Sequence, residues 1–247
     1  MNRGFLLFVL FLGACQGGLG GNGPHGDGGL QDALSPTKNE SDLDAGSRIF
    51  TVTCLGDSIT YGVGDPLGNG YRLELNRLVS GDFTPRWIGA IVHGSPPSDH
   101  SEGGSGSRTS TWLGTIPLIF PAQIGPDIVV VLLGMNDTAT DASAIVFQSN
   151  YTLMMTKLHT QLPRAGFVVS PITSTTDAEH QARISVANAD LSATWAQLAA
   201  NGLIMERAEG VVFVRSELAD GVHPNPLGYL KLARALSAPL VRLAARL

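Results

Sequence analysis

The chain is 247 residues long and 43% hydrophobic, which is sufficient for one globular domain with a sizeable core. Only 15% of the residues are charged, the formal net charge is -5, and no long run of Lys or Arg occurs. The charge pattern therefore argues against an electrostatic grip on a phosphate backbone, and no nucleic-acid partner is expected.

Residues 1–15 have the layout of an export signal. Arg3 supplies a positive charge, and residues 5–12 form an apolar run that is much shorter than the roughly 20 residues of a membrane span. The sequence Leu-Gly-Ala-Cys at residues 12–15 resembles a bacterial lipobox. We therefore expect lipidation at Cys15 and an extracytoplasmic location, with membrane contact only through that anchor. An ordinary signal peptide followed by secretion is the alternative.

Residues 16–47 are rich in Gly, Asp, Asn and Ser and contain no aromatic residue. Such a composition predicts a flexible linker. The pattern changes after residue 48, so residues 48–247 are predicted to form a single globular domain, which we expect to be monomeric.

Within that domain, short apolar runs alternate with longer amphipathic segments. Strands are predicted at residues 49–55, 87–92, 128–133, 167–169 and 211–214, and helices at residues 67–79, 142–161, 178–201 and 227–247. Alternating strands and helices predict a three-layer α/β/α sandwich with a five-stranded parallel sheet, of flavodoxin-like type. Residues 93–110 read as a long Gly- and Ser-rich loop, and loops of that length commonly serve a site.

Polar residues cluster just after these apolar runs, where ligands bind in open parallel sheets. The four blocks are Gly-Asp-Ser-Ile-Thr at 56–60, Glu-Gly-Gly-Ser-Gly at 102–106, Gly-Met-Asn-Asp at 134–137 and Asp-Gly-Val-His-Pro at 220–224. The carboxyl ends of the strands share one edge of the sheet. We therefore expect a serine, a glycine backbone, an amide and an Asp/His pair to meet there.

These residues supply the groups that acyl transfer requires. Ser58 is the candidate nucleophile, His223 the base that takes its proton, and Asp220 the acceptor that orients the imidazole. The expected oxyanion donors are the backbone N–H groups of Ser58 and Gly103 and the side-chain amide of Asn136.

Together, the four blocks resemble those of the SGNH (GDSL) hydrolase family, over about residues 49–247. The resemblance implies a small α/β/α hydrolase without metal or cofactor. Within the family, Gly-Tyr-Arg at 70–72, the second block and the ending at 220–229 are most similar to the acetylxylan-esterase branch of carbohydrate esterases. Departures from that branch are Ser101 between His100 and Glu102, Gly104, and Met135.

The predicted function is that of a serine esterase that hydrolyses short O-acyl groups, above all acetyl groups on carbohydrate, through an acyl-enzyme. Its expected partner is an acylated carbohydrate or a small ester. Two alternatives stay open. One is a lysophospholipase, thioesterase or arylesterase with the same blocks, and the other is a non-catalytic, glycan-binding surface lipoprotein.

Several further residues have a structural interpretation. Asp57 is expected to hold the first turn, Cys54 to be a small buried hydrophobe, and Trp112 to pack in the core in preference to serving as a sugar platform. The remaining histidines show no metal-ligand spacing and are expected on the surface or in loops: His25, His93, His100, His159 and His180.

Overall fold

The computed structural model describes residues 48–120 and 125–247. The predicted signal peptide, the lipidation at Cys15 and the linker at 16–47 lie outside the described residues. Within them, no helix is both long enough and apolar enough to cross a membrane.

A mostly parallel sheet forms the centre of the domain. Its strands are β1 (Ile49–Gly56), β2 (Thr84–Trp87), β3 (Ile91–Val92), β4 (His100–Gly103), β5 (Ile128–Leu132), β6 (Gly166–Val169) and β7 (Met205–Arg207). The order is β3-β4-β1-β5-β6-β7, and β2 pairs with the first half of β1. Only the β3–β4 pairing is antiparallel. The predicted three-layer class is confirmed, whereas the predicted count of five strands is wrong because the described sheet has seven.

Helices cover the sheet on both faces. They are α1 (Ser58–Tyr61), α2 (Arg72–Val79), α3 (Thr109–Ile119), α4 (Asp141–Ala144), α5 (Phe147–Gln161), α6 (Ala178–Ala200) and α7 (Pro226–Arg246). β5 and β6 are completely buried, and α2 packs against α7. The unbroken apolar composition of the central strands follows from this double coverage.

The predicted strand at 211–214 is wrong, and β7 takes its place in the sheet. Val211 and Phe213 are buried while Val212 is 71% exposed, so the segment alternates as a strand does. Its backbone bonds to a loop, however: Val211 O accepts from Ser174 N–H, and Phe213 N–H donates to Ser174 Oγ. The alternation of buried and exposed side chains in this segment therefore resembles that of a strand, although the segment does not pair in the sheet.

The predicted strand at 87–92 is also wrong, because two short strands, β2 and β3, stand in its place. Gly89 lies between them, and a Cβ there would come within 2.3 Å of the carbonyl oxygen of Ser101. The chain turns at this close approach. The expected long loop at 93–110 contains β4 and the start of α3, a helix with weak formers at its start (Thr-Ser-Thr) and Pro117 inside it.

Two predicted helices differ from the observed ones. Helix α2 begins at Arg72 instead of residue 67, because the Asp65 carboxylate holds the preceding turn through the N–H groups of Leu67, Asn69 and Gly70. The predicted helix at 142–161 is divided into α4 and α5.

Candidate active site

Ser58 is the first residue of α1, directly after the central strand β1. Asp57 caps this turn, and its Oδ1 accepts the N–H of Ile59 at 2.9 Å. Gly56 leaves no room for a side chain, since a Cβ would lie 2.1 Å from Thr60 Oγ1 and 2.6 Å from the carbonyl oxygen of Leu132. The tight strand-to-helix turn therefore places the Ser58 hydroxyl at the carboxyl edge of the sheet.

His223 lies beside this hydroxyl, on the loop that leads into α7. Its Nε2 is 2.8 Å from Ser58 Oγ, and its Nδ1 is 2.7 Å from Asp220 Oδ2. The other carboxylate oxygen of Asp220 accepts the backbone N–H groups of Val222 and His223 at 3.0 and 2.8 Å. The structure thus joins Ser58, His223 and Asp220 in one continuous hydrogen-bonded chain.

Asp220 is held in its ionised form by these bonds. Partial desolvation alone would raise its pKa, but hydrogen bonds from the His223 backbone, the His223 ring and the Val222 backbone outweigh it and bring the pKa to about 2. An ionised Asp220 accepts the Nδ1 proton of His223. The lone pair of Nε2 is then directed at the Ser58 hydroxyl.

The His223 loop can approach Ser58 because the loop after α1 contains glycine at residue 64. A Cβ on Gly64 would lie 2.4 Å from the carbonyl oxygen of Pro224 and 3.2 Å from His223 Cβ. Tyr229, on the first turn of α7, donates to the carbonyl of Val63 at 2.6 Å. These contacts hold the loop that follows the first block against the loop and helix that carry the fourth. Neither Gly64 nor Tyr229 had been assigned a role from the sequence.

Gly103 ends β4 next to Gly56, and its position also requires glycine. A Cβ there would lie 2.7 Å from the backbone nitrogen of Tyr61. The Gly103 N–H donates to Ser101 Oγ over a long 3.3 Å. As an oxyanion donor, this N–H would have to exchange Ser101 for the substrate oxygen, while the Ser58 N–H has no hydrogen-bond partner among the described residues.

Asn136 lies on the turn after β5, and its side chain points towards the Gly-rich loop. Its Nδ2 donates to the carbonyl of Ser107 at 3.0 Å, which uses one of the two amide protons and leaves the other for a ligand. The neighbouring Asp137 is buried and accepts from the N–H and hydroxyl of Thr109 at 3.1 and 2.5 Å. Asp137 therefore fixes the Asn136 turn to the start of α3.

A fully buried arginine, Arg72, organises the backbone around Ser58. Its guanidinium donates to the carbonyls of Thr60 and Ser98 at 3.0 and 2.8 Å and to those of Tyr61, Gly68 and His93. No ion-pair partner is recorded for it among the described residues. Arg72 was noticed in the sequence only as part of Gly-Tyr-Arg, and nothing in the pattern showed that its partners would be carbonyls.

The residues interpreted as structural are placed as follows. Asp57 is buried next to Ser58, and burial raises its pKa to about 7 against the opposing effect of the Ile59 N–H. Cys54 is free and buried, and its pKa rises to about 12 through desolvation. Trp112 is buried in α3, in agreement with core packing and against a sugar platform.

The described residues contain no cluster of three or more His, Cys, Asp or Glu side chains suited to a metal. His93 stacks on Tyr61 with ring centroids 3.8 Å apart. His180 is half-buried on the first turn of α6, and its imidazole contacts the Asn136 turn. His25 lies outside the described residues.

Comparison with known proteins gives one family. The sequence model of the GDSL-like Lipase/Acylhydrolase family matches residues 54–231, which include all four blocks. Sequence comparison with curated proteins gives no match.

The solved structures that share the fold include three proteins named as esterases. A Clostridium thermocellum family 3 carbohydrate esterase has a TM-score of 0.71 at 21% identity, covering 81% of this chain and 98% of that chain. A carbohydrate esterase family 3 protein from Talaromyces cellulolyticus has a TM-score of 0.62 at 22% identity, covering 80% and 99%. A mutant acetyl esterase with an acetate ion has a TM-score of 0.61 at 23% identity, covering 79% and 98%.

Proposed function

We propose that this chain, which belongs to the GDSL-like lipase/acylhydrolase family, hydrolyses short O-acyl esters, in the first place acetyl esters of carbohydrate. The observation that carries the proposal is the chain of hydrogen bonds from Ser58 Oγ through His223 to Asp220, at 2.8 and 2.7 Å. A serine hydroxyl becomes a useful nucleophile only when a base can take its proton, and this geometry provides that base.

The proposed reaction has two halves. Ser58 Oγ attacks the ester carbonyl carbon while its proton passes to His223 Nε2. The bond to the alcohol oxygen then breaks, and the alcohol leaves with that proton. Water adds to the acyl-Ser58 carbonyl as His223 takes a proton from it. Release of the carboxylic acid returns the proton to Ser58.

Negative charge develops on the carbonyl oxygen in both halves. The Ser58 N–H and the second amide proton of Asn136 are free to stabilise it, and the Gly103 N–H joins them by leaving Ser101. Loss of a single such donor in known enzymes costs about 2.7–4 kcal/mol of transition-state stabilisation.

Two features support carbohydrate as the alcohol. The loop beside Asn136 has the sequence Gly-Gly-Ser-Gly-Ser-Arg at residues 103–108, and Ser105, Gly106 and Arg108 are exposed, so this rim of the site is polar. Two of the fold relatives are named as carbohydrate esterases and a third as an acetyl esterase. A small acyl group on a bulky polar alcohol suits such a rim.

A lipid-type ester is the second candidate, and an apolar groove favours it. The groove encloses about 640 Å³ where the loop after α1 meets the first turns of α2 and α7, and its lining includes Pro66, Leu67, Leu73 and Leu227. Leu67, on the loop after α1, and Leu227, on the first turn of α7, are 71% and 65% exposed and line the same groove, where they form an exposed apolar patch.

Hydrolysis of 4-nitrophenyl acetate, 4-nitrophenyl octanoate and acetylated xylan by the full chain separates the candidates. We expect acetate release from the short ester and from xylan, and its loss in Ser58→Ala. The matched control Ser80→Ala changes an exposed serine at the far end of α2 and should keep full activity.

Each other outcome has a defined meaning. A preference for octanoate would replace the carbohydrate proposal with the lipid-type one, and hydrolysis retained in Ser58→Ala would refute the nucleophile. Absence of hydrolysis on all three substrates, with acetylated xylan still bound, would favour the glycan-binding lipoprotein.

We also propose that the enzyme is exported and lipidated at Cys15, from the signal-like residues 1–15. The chain has two cysteines, so Cys15→Ser has a natural control in Cys54→Ala. Incorporation of a radiolabelled fatty acid in a bacterial host should be lost in Cys15→Ser and kept in Cys54→Ala. Equal labelling in both variants would contradict the anchor.

A further inference from the structure

We propose that His180 is a positioning residue that holds the Asn136 amide in place for the oxyanion. This inference rests on the proposed function, in which Asn136 is an oxyanion donor. His180 lies on the first turn of α6, outside the four sequence blocks, and had been interpreted as a surface or loop residue.

The His180 side chain reaches the turn that carries Asn136. Its Nε2 lies 3.1 Å from the carbonyl oxygen of Met135 and 3.0 Å from Thr138 Oγ1. The Met135 carbonyl belongs to the same peptide group as the backbone nitrogen of Asn136. Because the peptide group is planar, a bond to this carbonyl also fixes the orientation of the Asn136 backbone nitrogen.

The donor and the acceptor in each of these hydrogen bonds follow from which groups carry a proton. A carbonyl only accepts, so the proton must be on His180 Nε2. Thr138 Oγ1 donates to the carbonyl of Gly134 at 2.9 Å and can therefore accept from the same Nε2 proton. One imidazole proton thus connects both ends of the turn.

The helix start that carries His180 is itself held firmly. Asp177 caps α6, and its Oδ1 accepts the His180 backbone N–H at 2.7 Å. Arg183, one turn further along α6, donates from Nε to the carbonyl of Thr138 at 2.8 Å and from the guanidinium to that of Ala139 at 2.9 Å. The start of α6 therefore forms a rigid support for the turn. Of its side chains, His180 contacts the peptide that precedes Asn136, whose carbonyl also accepts from Thr138 Oγ1 within the turn at 3.3 Å.

The opposite side of the turn is held by the Asp137–Thr109 bonds, and Asn136 itself donates to Ser107. The Asn136 amide is thus supported by its own bond to Ser107 and by the bonds of the next residue, Asp137, to Thr109. Loss of the His180 bond leaves the Asp137 anchor in place. We therefore expect a misplaced amide in a folded protein, and displacements of about 1 Å are known to reduce rates by up to about a hundredfold.

The test is a double-mutant cycle on kcat and KM for 4-nitrophenyl acetate in the full chain. His180→Met removes the N–H donor, whereas His180→Gln keeps an N–H that can reach Met135. We expect His180→Met to lower kcat about tenfold with KM changed less than about twofold, and His180→Gln to restore most of the rate. The control His159→Gln changes a histidine whose buried Nδ1 has no partner among the described residues, and it should leave kcat unchanged.

The second arm of the cycle repeats His180→Met in an Asn136→Ala background. If His180 acts through Asn136, its effect there should shrink to less than about twofold, because the amide that it positions is gone. An equal tenfold loss in both backgrounds would overturn the inference, and so would a full rate in His180→Met. If His180→Met does not fold, a His180→Gln rate that falls equally in both backgrounds overturns it as well. Loss of the proposed function would appear differently, as an unchanged rate in Ser58→Ala or Asn136→Ala.

Discussion

Replacement of Asp220 by Asn should inactivate the enzyme while keeping the loop intact. The Asn carbonyl oxygen can still accept the backbone N–H groups of Val222 and His223, which Asp220 binds at 3.0 and 2.8 Å. Its amide group, however, would face His223 Nδ1 with a donor. The imidazole would then carry its proton on Nε2, where it cannot accept the proton of Ser58.

The size of the loss follows from the exposure of Asp220. The same substitution in a buried serine-protease triad lowers kcat by about 10⁴. The Asp220 side chain is 56% exposed, so water can partly support the productive imidazole. We therefore expect a decrease of about 10³ in kcat/KM, equivalent to about 4 kcal/mol of transition-state stabilisation.

The assay is 4-nitrophenyl acetate hydrolysis at pH 8, with thermal unfolding as the test of folding. Asp82→Asn is the control, because Asp82 is exposed on the turn before β2, at the opposite edge of the sheet. Asp220→Ala should be less impaired than Asp220→Asn, since water can occupy the vacated acceptor position. An Asp220→Asn enzyme that keeps more than a tenth of the wild-type kcat/KM would refute this account of the imidazole.

Three further predictions concern stability and the first two blocks. Gly103→Ala should abolish activity and lower the melting temperature, because its Cβ would meet the Tyr61 backbone nitrogen at 2.7 Å; Gly81→Ala, at a site with open space after α2, is the control for the assay. Arg72→Met should lower the free energy of unfolding in urea by at least about 3 kcal/mol, since several buried carbonyls lose their donor, and a loss below about 1 kcal/mol would contradict this. In wild type, the raised pKa of Asp57, about 7, should reduce stability as pH rises from about 4 to about 7, because the unfolded state ionises first. The free energy of unfolding of Asp57→Asn should therefore rise relative to that of wild type over that window, by up to about 4 kcal/mol. An equal difference between the two proteins at pH 4.5 and pH 7.5 would exclude this linkage.

The sequence by itself determined the fold class and predicted the edge of the sheet at which the candidate site lies. β5 and β6 were recognisable because strands buried on both faces need apolar runs, and β1 because most of its residues are apolar and buried. The rule that ligands bind at the carboxyl ends of parallel strands selected Ser58, Asn136 and His223 from the whole chain. The structure brings the first and last of these within hydrogen-bond distance across 165 residues of sequence.

Local patterns failed where the decisive partner is distant in the sequence. Val211 and Phe213 alternate with exposed residues as a strand would, yet their backbone groups bond to Ser174 and the sheet takes β7 instead. Helix α3 was missed because its β-branched start and internal proline are poor helix signals.

Only the tertiary structure decided which residues support the catalytic groups. Arg72 reads as an ordinary charged helix residue, but it is fully buried and donates to carbonyls from Thr60 to Ser98. His180 reads as a solvent-facing histidine, but its imidazole contacts the Met135 carbonyl 45 residues earlier. Both act on backbone carbonyls, which every residue possesses. The identities of the side chains therefore do not predict which carbonyls Arg72 and His180 bind, and these partners meet only when the chain folds.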